Sequence, residues 1–192
     1  MLSERQTEII QTTIKIIANK GIQGFTIKNL SEEIGISEPA IYRHFKSKTE
    51  ILLIMLKQFQ YFKKEISKKV LASNKKSFEK IKTVFDELLN KFSENPPLVS
   101  VIFSDEIFNN EKQLSDKITE IMDMNNAMFV TIIKEGQKNN EIRNDVKIQY
   151  IVLMIMGALR LLVKKWEKSK YNFDLKLEGK NLFTALKITL KK

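Results

Sequence analysis

Apolar residues recur at helical spacing along most of the chain. In the first segment, Ile10, Ile14 and Ile17 fall at intervals of three and four, which places them on one face of a helix. Strand-like alternation is scarce, and the chain holds only 6 Gly and 3 Pro. These features predict an all-α protein of about nine helices. The periodic or apolar segments are residues 3–20, 26–34, 37–45, 47–66, 77–90, 98–108, 113–139, 150–159 and 175–190.

Polar and helix-breaking residues divide these segments. Residues 67–77 lack a clear apolar stripe, which predicts a break after the fourth helix. Pro96-Pro97 predicts the end of one helix and the start of the next, and Asn109-Asn110 predicts a turn. Asn144-Asp145 is suited to cap the helix that contains residues 150–159.

Residues 26–48 carry the most informative local pattern. Thr26 is suited to cap a short helix, and Gly35 stands where a left-handed residue commonly ends one. Ser37 is a second candidate cap, and Pro39 suits the first turn that follows it. Two short helices joined by a tight corner that contains glycine predict a helix-turn-helix.

The second of these helices has two distinct faces. Ile41 and Phe45 share one side, which would hold the helix against a small core. The outward side presents Tyr42, Arg43 and His44, whose polar groups suit contact with phosphates and base edges. The same pattern also fits an ordinary helical bundle, in which Tyr42 and His44 are surface residues without a function.

From Ile9 to Leu56 the chain resembles the TetR family of transcriptional repressors. The resemblance rests on Ala18, Gly21 and Thr26, on the sequence IGIS at residues 34–37, and on YRHFKSKTEIL at residues 42–52. Ile51 departs from the leucine that is common there. The resemblance covers about the first quarter of the chain. It implies a repressor that binds a palindromic DNA operator as a dimer and is released by a small effector.

The family motif also implies which residues contact DNA. Thr26, Tyr42, His44 and Lys48 would bind phosphates, and Arg43 would pair with a guanine edge. Glu38 would accept from a cytosine amine or stay out of contact, and Lys28 is equally well explained as a solvated charge. The full predicted DNA-binding set is Thr26, Lys28, Ser37, Glu38, Pro39, Ala40, Tyr42, Arg43, His44 and Lys48.

By the same resemblance, residues 1–48 form a DNA-binding domain and residues 49–192 form an effector-binding and dimerisation domain. Residues 146–165 and 176–190 would pair two copies as a homodimer. The effector would be largely apolar, because the candidate lining is rich in Met and Phe. These side chains are equally explained as core. The candidates are Phe59, Phe62, Phe85, Phe103, Met122, Met128, Phe129, Met154 and Trp166.

The charge of the chain gives weaker evidence for a DNA partner. The formal net charge is +10, yet residues 1–48 carry 7 Lys/Arg against 5 Asp/Glu, so most of the basic excess lies elsewhere. An alternative hypothesis is therefore a lipid- or acyl-binding helical protein whose basic residues dock on anionic membranes. A DNA binder without sequence preference is another. Neither would bind an operator in preference to other duplexes, whereas a repressor would.

Enzymatic chemistry finds no support in the sequence. His44 is the single histidine, there is no cysteine, and no phosphate-binding glycine pattern occurs. Asp105 and Glu106 are explained as a solvated pair, so no cofactor or metal is expected. Residues 150–159 are too short for a membrane span of about 20 residues. The charged N-terminus lacks a secretory signal, which predicts a cytoplasmic protein.

Overall fold

The structure is a computed structural model that describes residues 2–103 and 111–192. The predicted turn at Asn109-Asn110 and the acidic pair Asp105-Glu106 lie outside the described residues. Nine α-helices occur within the described residues, which agrees with the all-α prediction. They are α1 (Glu4–Gly24), α2 (Ile27–Ile34), α3 (Glu38–Tyr42), α4 (Lys48–Leu71), α5 (Ser77–Glu94), α6 (Pro97–Ile102), α7 (Lys112–Lys138), α8 (Ile148–Lys168) and α9 (Leu175–Leu190).

The chain divides into two compact units. The first comprises Met1–Gln60 and Pro97–Glu120. In this unit α1 packs against α2 and α6, and α2 packs against α3. Each helix contributes apolar side chains that are buried, and Phe25 from the α1–α2 connection is fully enclosed among them. The helix-turn-helix therefore packs on the apolar core of this unit.

The second unit comprises Tyr61–Pro96 and Ile121–Lys192, and α9 packs in it against α5 and α8. Gly179 on α9 permits a close approach, because a Cβ atom there would lie 2.1 Å from Cδ1 of Leu89. Phe183 on the same helix meets Phe85 edge to face, with ring centroids 5.9 Å apart. Apolar packing therefore holds α9 onto the unit.

Helix α4 is longer than the sequence pattern predicted. The prediction of a break from residue 67 is wrong, because the helix continues to Leu71 and the interruption spans only residues 72–76. Ile66 and Val70 are both buried and lie four residues apart. This spacing continues the apolar face across Ser67, Lys68 and Lys69.

The cap of helix α8 lies later in the chain than the sequence predicted. Asn144-Asp145 does not cap it, because Lys147 holds the cap position and contributes no side-chain hydrogen bond there. The carboxylate of Asp145 instead accepts two hydrogen bonds from the guanidinium of Arg143, at 2.7 and 2.6 Å. This bidentate pair holds the carboxylate against Arg143 instead of against the backbone N–H groups of α8.

The outward side of α8 is unusually apolar. Ile151, Ile155 and Leu159 are buried within the second unit. The opposite side exposes Tyr150, Leu153, Met154, Gly157 and Leu161, and Leu161 is 71% exposed. On α9, Leu177 and Ile188 are exposed too. Helix α8 thus carries an apolar face that this copy of the chain leaves open to solvent, and α9 adds two exposed apolar side chains.

Candidate nucleic-acid interface

The corner between α2 and α3 is fixed by hydrogen bonds that the sequence predicted in outline. Thr26 caps α2, because its hydroxyl accepts from the backbone N–H of Asn29 at 3.0 Å. Gly35 adopts φ 79° and ψ 33°, the left-handed conformation that ends a helix. The N–H of Ile36 then donates to the carbonyl of Ser31 at 3.0 Å. This closes the corner and aims the chain into α3.

Helix α3 is short and is held by two apolar anchors. It spans only five residues, Glu38–Tyr42. Ile41 and Phe45 are buried, as predicted for the inner side. Ser37 occupies the cap position, but its hydroxyl makes no capping hydrogen bond. The helix is therefore positioned by its buried side chains, and the Ser37 hydroxyl stays on the surface.

The ten predicted DNA contacts all lie in the first unit, and none of them is buried. Tyr42 is 51% exposed, and Arg43 beside it is exposed as well. Three members of the set are half-buried, namely Ala40, His44 and Lys48. The other exposed members are Thr26, Lys28, Ser37, Glu38 and Pro39. Their DNA-contact roles stay predictions that this accessible arrangement permits.

A contact from α1 steadies the residues that follow α3. Gln6 completes a capping box with Ser3, whose N–H donates to the Gln6 side-chain oxygen at 3.0 Å. The amide nitrogen of the same Gln6 donates to the carbonyl of His44 at 3.3 Å. The capping box could be read from the Ser3–Gln6 spacing, whereas the link to His44 could not, because it joins residues 38 apart.

Lys48 stands at the start of α4 and near an aromatic ring. Its Nζ lies 5.1 Å from the ring centroid of Phe25, which is a cation–π distance. Partial burial lowers the pKa of Lys48, and the negative charge of Glu111 partly opposes that shift. Ser47 and Glu50 form the capping pair that begins the helix, since the N–H of Glu50 donates to the Ser47 hydroxyl at 3.1 Å. The ammonium is thus held near the first turn.

The predicted effector-binding residues are spread between interior and surface. Phe59, Phe85, Met128, Phe129 and Trp166 are buried. The indole of Trp166 donates to the carbonyl of Phe173 at 2.9 Å, which satisfies its one polar group. Half-buried members are Phe62 and Phe103, and the exposed members are Met122 and Met154. Their role in effector binding stays a prediction.

A surface cavity of about 540 Å³ lies between α7 and α8 in the second unit. Met122 and Asn126 line it from α7, and Leu153, Gly157 and Arg160 line it from α8. Most of its surface is apolar. It includes Met122 but not the other predicted effector residues, and it adjoins the exposed face of α8.

No group of three or more acidic or histidine side chains able to hold a metal ion occurs among residues 2–103 and 111–192. None of the helices that the structure describes is long and apolar enough to cross a membrane.

Two family models together match almost the whole chain. The model described as "Bacterial regulatory proteins, tetR family" matches residues 9–55, and "YsiA-like protein, C-terminal region" matches residues 56–188. The chain belongs to the TetR family. The prediction of a DNA-binding transcriptional regulator rather than an enzyme is therefore confirmed. The similarity to the family, which the motifs indicated for residues 9–56, extends to residue 188.

Known relatives of this TetR-family chain are distant but similar over nearly their full length. A nucleoid occlusion factor, SlmA of Vibrio vulnificus, is 21% identical over 90% of this chain and 88% of its own. The fatty acid metabolism regulator protein of Bacillus subtilis is 22% identical over 88% and 86%. A crystal structure of the FadR regulator from Bacillus subtilis, in complex with stearoyl-CoA, superposes with a TM-score of 0.78 at 20% identity over 94% and 96%.

Proposed function

We propose that the protein is a cytoplasmic, homodimeric repressor that binds a palindromic operator and is released by a largely apolar effector. Residues 1–48 would bind DNA, and residues 49–192 would bind the effector and pair the copies. The observation that carries the DNA-binding part is the corner at Gly35. It leads into a helix anchored by Ile41 and Phe45, beside which Tyr42 and Arg43 are open to solvent.

Each group of predicted DNA contacts has a separate role in this proposal. Thr26, Tyr42, His44 and Lys48 position the protein on the phosphates, which gives affinity that depends on salt. Arg43 donates to the edge of a guanine, which gives sequence preference. Two copies would place their α3 helices in successive major grooves, about 34–36 Å apart.

A binding experiment tests this division of roles. Duplexes selected by the wild-type protein from a random library provide the operator. Replacing Arg43 by Ala is expected to cost about 1–3 kcal/mol and to relax selectivity at one base pair of each half-site. Replacing Tyr42 by Ala is expected to weaken binding to every duplex alike. Unchanged operator affinity in both variants would contradict the proposed interface, and exposed Lys57 on α4 offers a control substitution.

The open apolar face of α8 and the exposed apolar side chains of α9 support pairing through residues 146–165 and 176–190. Leu153 and Leu161 on α8 and Ile188 on α9 are more exposed than most apolar side chains of this chain. Gly157 lies on the same side of α8, where a Cβ atom would meet nothing within 4 Å. A second copy would cover these faces, and the small residue would let its backbone come near.

Sedimentation equilibrium tests the pairing. A Leu161→Glu variant would place a charge in the proposed interface and is expected to raise the dimer dissociation constant at least about tenfold, because an unpaired interfacial charge is costly. Lys57→Glu changes charge on an exposed residue of α4, outside residues 146–165 and 176–190, and is the control. A stable dimer in the Leu161→Glu variant would rule out this face.

The effector is proposed to be a flexible apolar molecule of the acyl-chain type. Support comes from the Met- and Phe-rich composition of the second unit and from relatives named for fatty acid metabolism and solved with stearoyl-CoA. Binding must favour the form of the dimer that does not fit the operator, because a ligand with equal affinity for both forms would shift nothing. Loss of operator binding on addition of lauroyl-coenzyme A would show this response.

A further inference from the structure

Helix α4 carries a lysine that is withdrawn from water. Lys63 is only 4% exposed, whereas its neighbour Lys64 is exposed. Lys80 is the other buried lysine among the described residues, and its Nζ lies 2.8 Å from a carboxylate oxygen of Glu135. No such partner exists for Lys63, because no hydrogen bond or ion pair joins it to any residue in the described ranges 2–103 and 111–192.

The buried neighbours of Lys63 on its own helix are apolar. Ile66 and Val70 follow it at intervals of three and seven, and both are buried on the same face. An ammonium group buried there without a counter-charge is strongly disfavoured. Burial lowers the pKa of Lys63 to about 7 for this reason. An anion that came within hydrogen-bond distance of Nζ would therefore stabilise the ammonium form of Lys63.

Most other buried polar side chains among the described residues have a hydrogen-bond partner, although the Ser77 hydroxyl has none. The Thr13 hydroxyl donates to the carbonyl of Ile9 at 2.8 Å, and the Ser31 hydroxyl donates to that of Lys28 at 2.8 Å. Such groups are normally satisfied within the protein. The ammonium form of a lysine has three hydrogens to donate and no ability to accept, so water or an anion is the partner that the charged form requires.

We propose that Lys63 binds the anionic head group, a carboxylate or a phosphate, of the effector. This inference rests on the proposed function, in which residues 49–192 bind an apolar ligand. It adds that the ligand also carries an anionic group and is therefore an amphiphile. The apolar chain would contact the apolar residues of the second unit, and the head group would accept hydrogen bonds from Nζ. A charge-assisted hydrogen bond is stronger in an apolar site than in water, so this contact would select acids over neutral analogues.

Calorimetric titration tests the proposal with three ligands of equal chain length. Dodecanoate carries a carboxylate, lauroyl-coenzyme A carries phosphates, and 1-dodecanol carries neither. Each is titrated into the wild type, Lys63→Met and the control Lys64→Met. Methionine keeps most of the length of the lysine stem and removes the charge. Thermal unfolding confirms that each variant is folded, and operator binding is measured on the same samples.

The expected result is a loss confined to one variant and to charged ligands. Lys63→Met is expected to bind the preferred anionic ligand about 10- to 100-fold more weakly, which is the range for a hydrogen bond to a charged group. Its affinity for 1-dodecanol should be unchanged, and Lys64→Met should behave as the wild type. The anionic ligand that shows the larger loss identifies the head group as carboxylate or phosphate.

Two results would overturn the proposal. One is equal affinity of the wild type and Lys63→Met for both anionic ligands. The other is a wild type that binds neither anion. Binding of 1-dodecanol alone would leave an apolar effector in place, and intact operator binding would leave the regulator function in place. A second neutral variant, Lys63→Gln, must reproduce the loss seen with methionine, and its failure to do so counts against the head-group contact.

Discussion

The two lysines Lys48 and Lys63 of α4 meet very different surroundings on a single helix. Lys48 is half-buried at the first residue, with an aromatic ring 5.1 Å away and the charge of Glu111 acting on it. Lys63 lies fifteen residues later, almost fully buried and without a partner among the described residues. Burial lowers the pKa of both, and only Lys63 reaches about 7. Lys48 therefore has favourable neighbours within the protein, whereas Lys63 has no hydrogen bond or ion pair with any described residue.

Removing the apolar anchor just before α4 should have the largest effect. Phe45 is buried beneath the helix-turn-helix, so Phe45→Ala is expected to lower the free energy of unfolding by about 3–5 kcal/mol. Urea unfolding followed by circular dichroism measures the loss. Tyr42→Ala is the control, since that side chain is exposed and should change stability by less than about 0.5 kcal/mol. Similar losses in both variants would mean that Phe45 does not anchor the corner.

Removing the charge at Lys63 should change the free energy of unfolding in the opposite direction. Lys63→Met is expected to raise the free energy of unfolding at pH 6 by an amount on the order of a few kcal/mol, because the folded wild type must bury an ammonium. Lys64→Met, on an exposed residue, should change little. Equal stability of the wild type and Lys63→Met at pH 6 would mean that the amine is solvated.

The pH dependence of this difference sharpens the contrast. The pKa of Lys63 is about 7 in the folded chain and 10.5 ordinarily, so the unfolded chain binds more protons between these values. The stability of the wild type therefore rises with pH through that interval, relative to Lys63→Met. The advantage of the variant should be full below pH 7 and should fade towards pH 10. Paired unfolding curves at pH 6, 8 and 9.5 measure this trend.

A substitution at Lys48 should weaken DNA binding without lowering the free energy of unfolding. Lys48→Met is expected to weaken binding to all duplexes by about tenfold at moderate salt and to reduce the salt slope by about one. Fluorescence anisotropy at several salt concentrations measures both. Lys57→Met, on an exposed residue of the same helix, is the control. A loss restricted to one operator sequence would assign Lys48 a base contact instead.

The smallest expected effect concerns Glu111, whose charge acts on Lys48. A DNA phosphate would compete with this carboxylate for the same ammonium. Glu111→Gln is expected to strengthen operator binding by about two- to fivefold, which is the range for an exposed ion pair. The same anisotropy titration reports it, and the double variant with Lys48→Met should show no gain. A gain that persists in the double variant would place the effect elsewhere.

Local chemistry made the helix-turn-helix predictable, whereas long-range contacts did not follow from spacing. Thr26 and Gly35 act within three or four residues of their partners, so their types alone indicate their roles. The link from Gln6 to His44 spans 38 residues and has no local signature. One local prediction also failed, because Asn144-Asp145 has the residue types of a cap but the carboxylate of Asp145 binds the guanidinium of Arg143, two residues away.

The buried lysine could have been suspected from the sequence. Lys63 precedes Ile66 by three residues and Val70 by seven, so it falls within the apolar period of α4. The apolar positions of α4 do not by themselves indicate that a lysine lies among them. The predicted end of α4 was too early, since three polar residues at 67–69 masked the continuing period at Val70.

The open apolar face of α8 and the exposed apolar side chains of α9 also bear on how the protein would behave at low abundance. Pairing through these faces is second order in the number of chains, so the share of operator-competent dimer would fall steeply in cells that hold few copies. Newly made single chains would meanwhile expose Leu161 and Ile188, which invites capture by chaperones or non-specific adhesion. Steady synthesis at a level above the pairing constant would then matter as much for repression as the strength of any single contact with DNA.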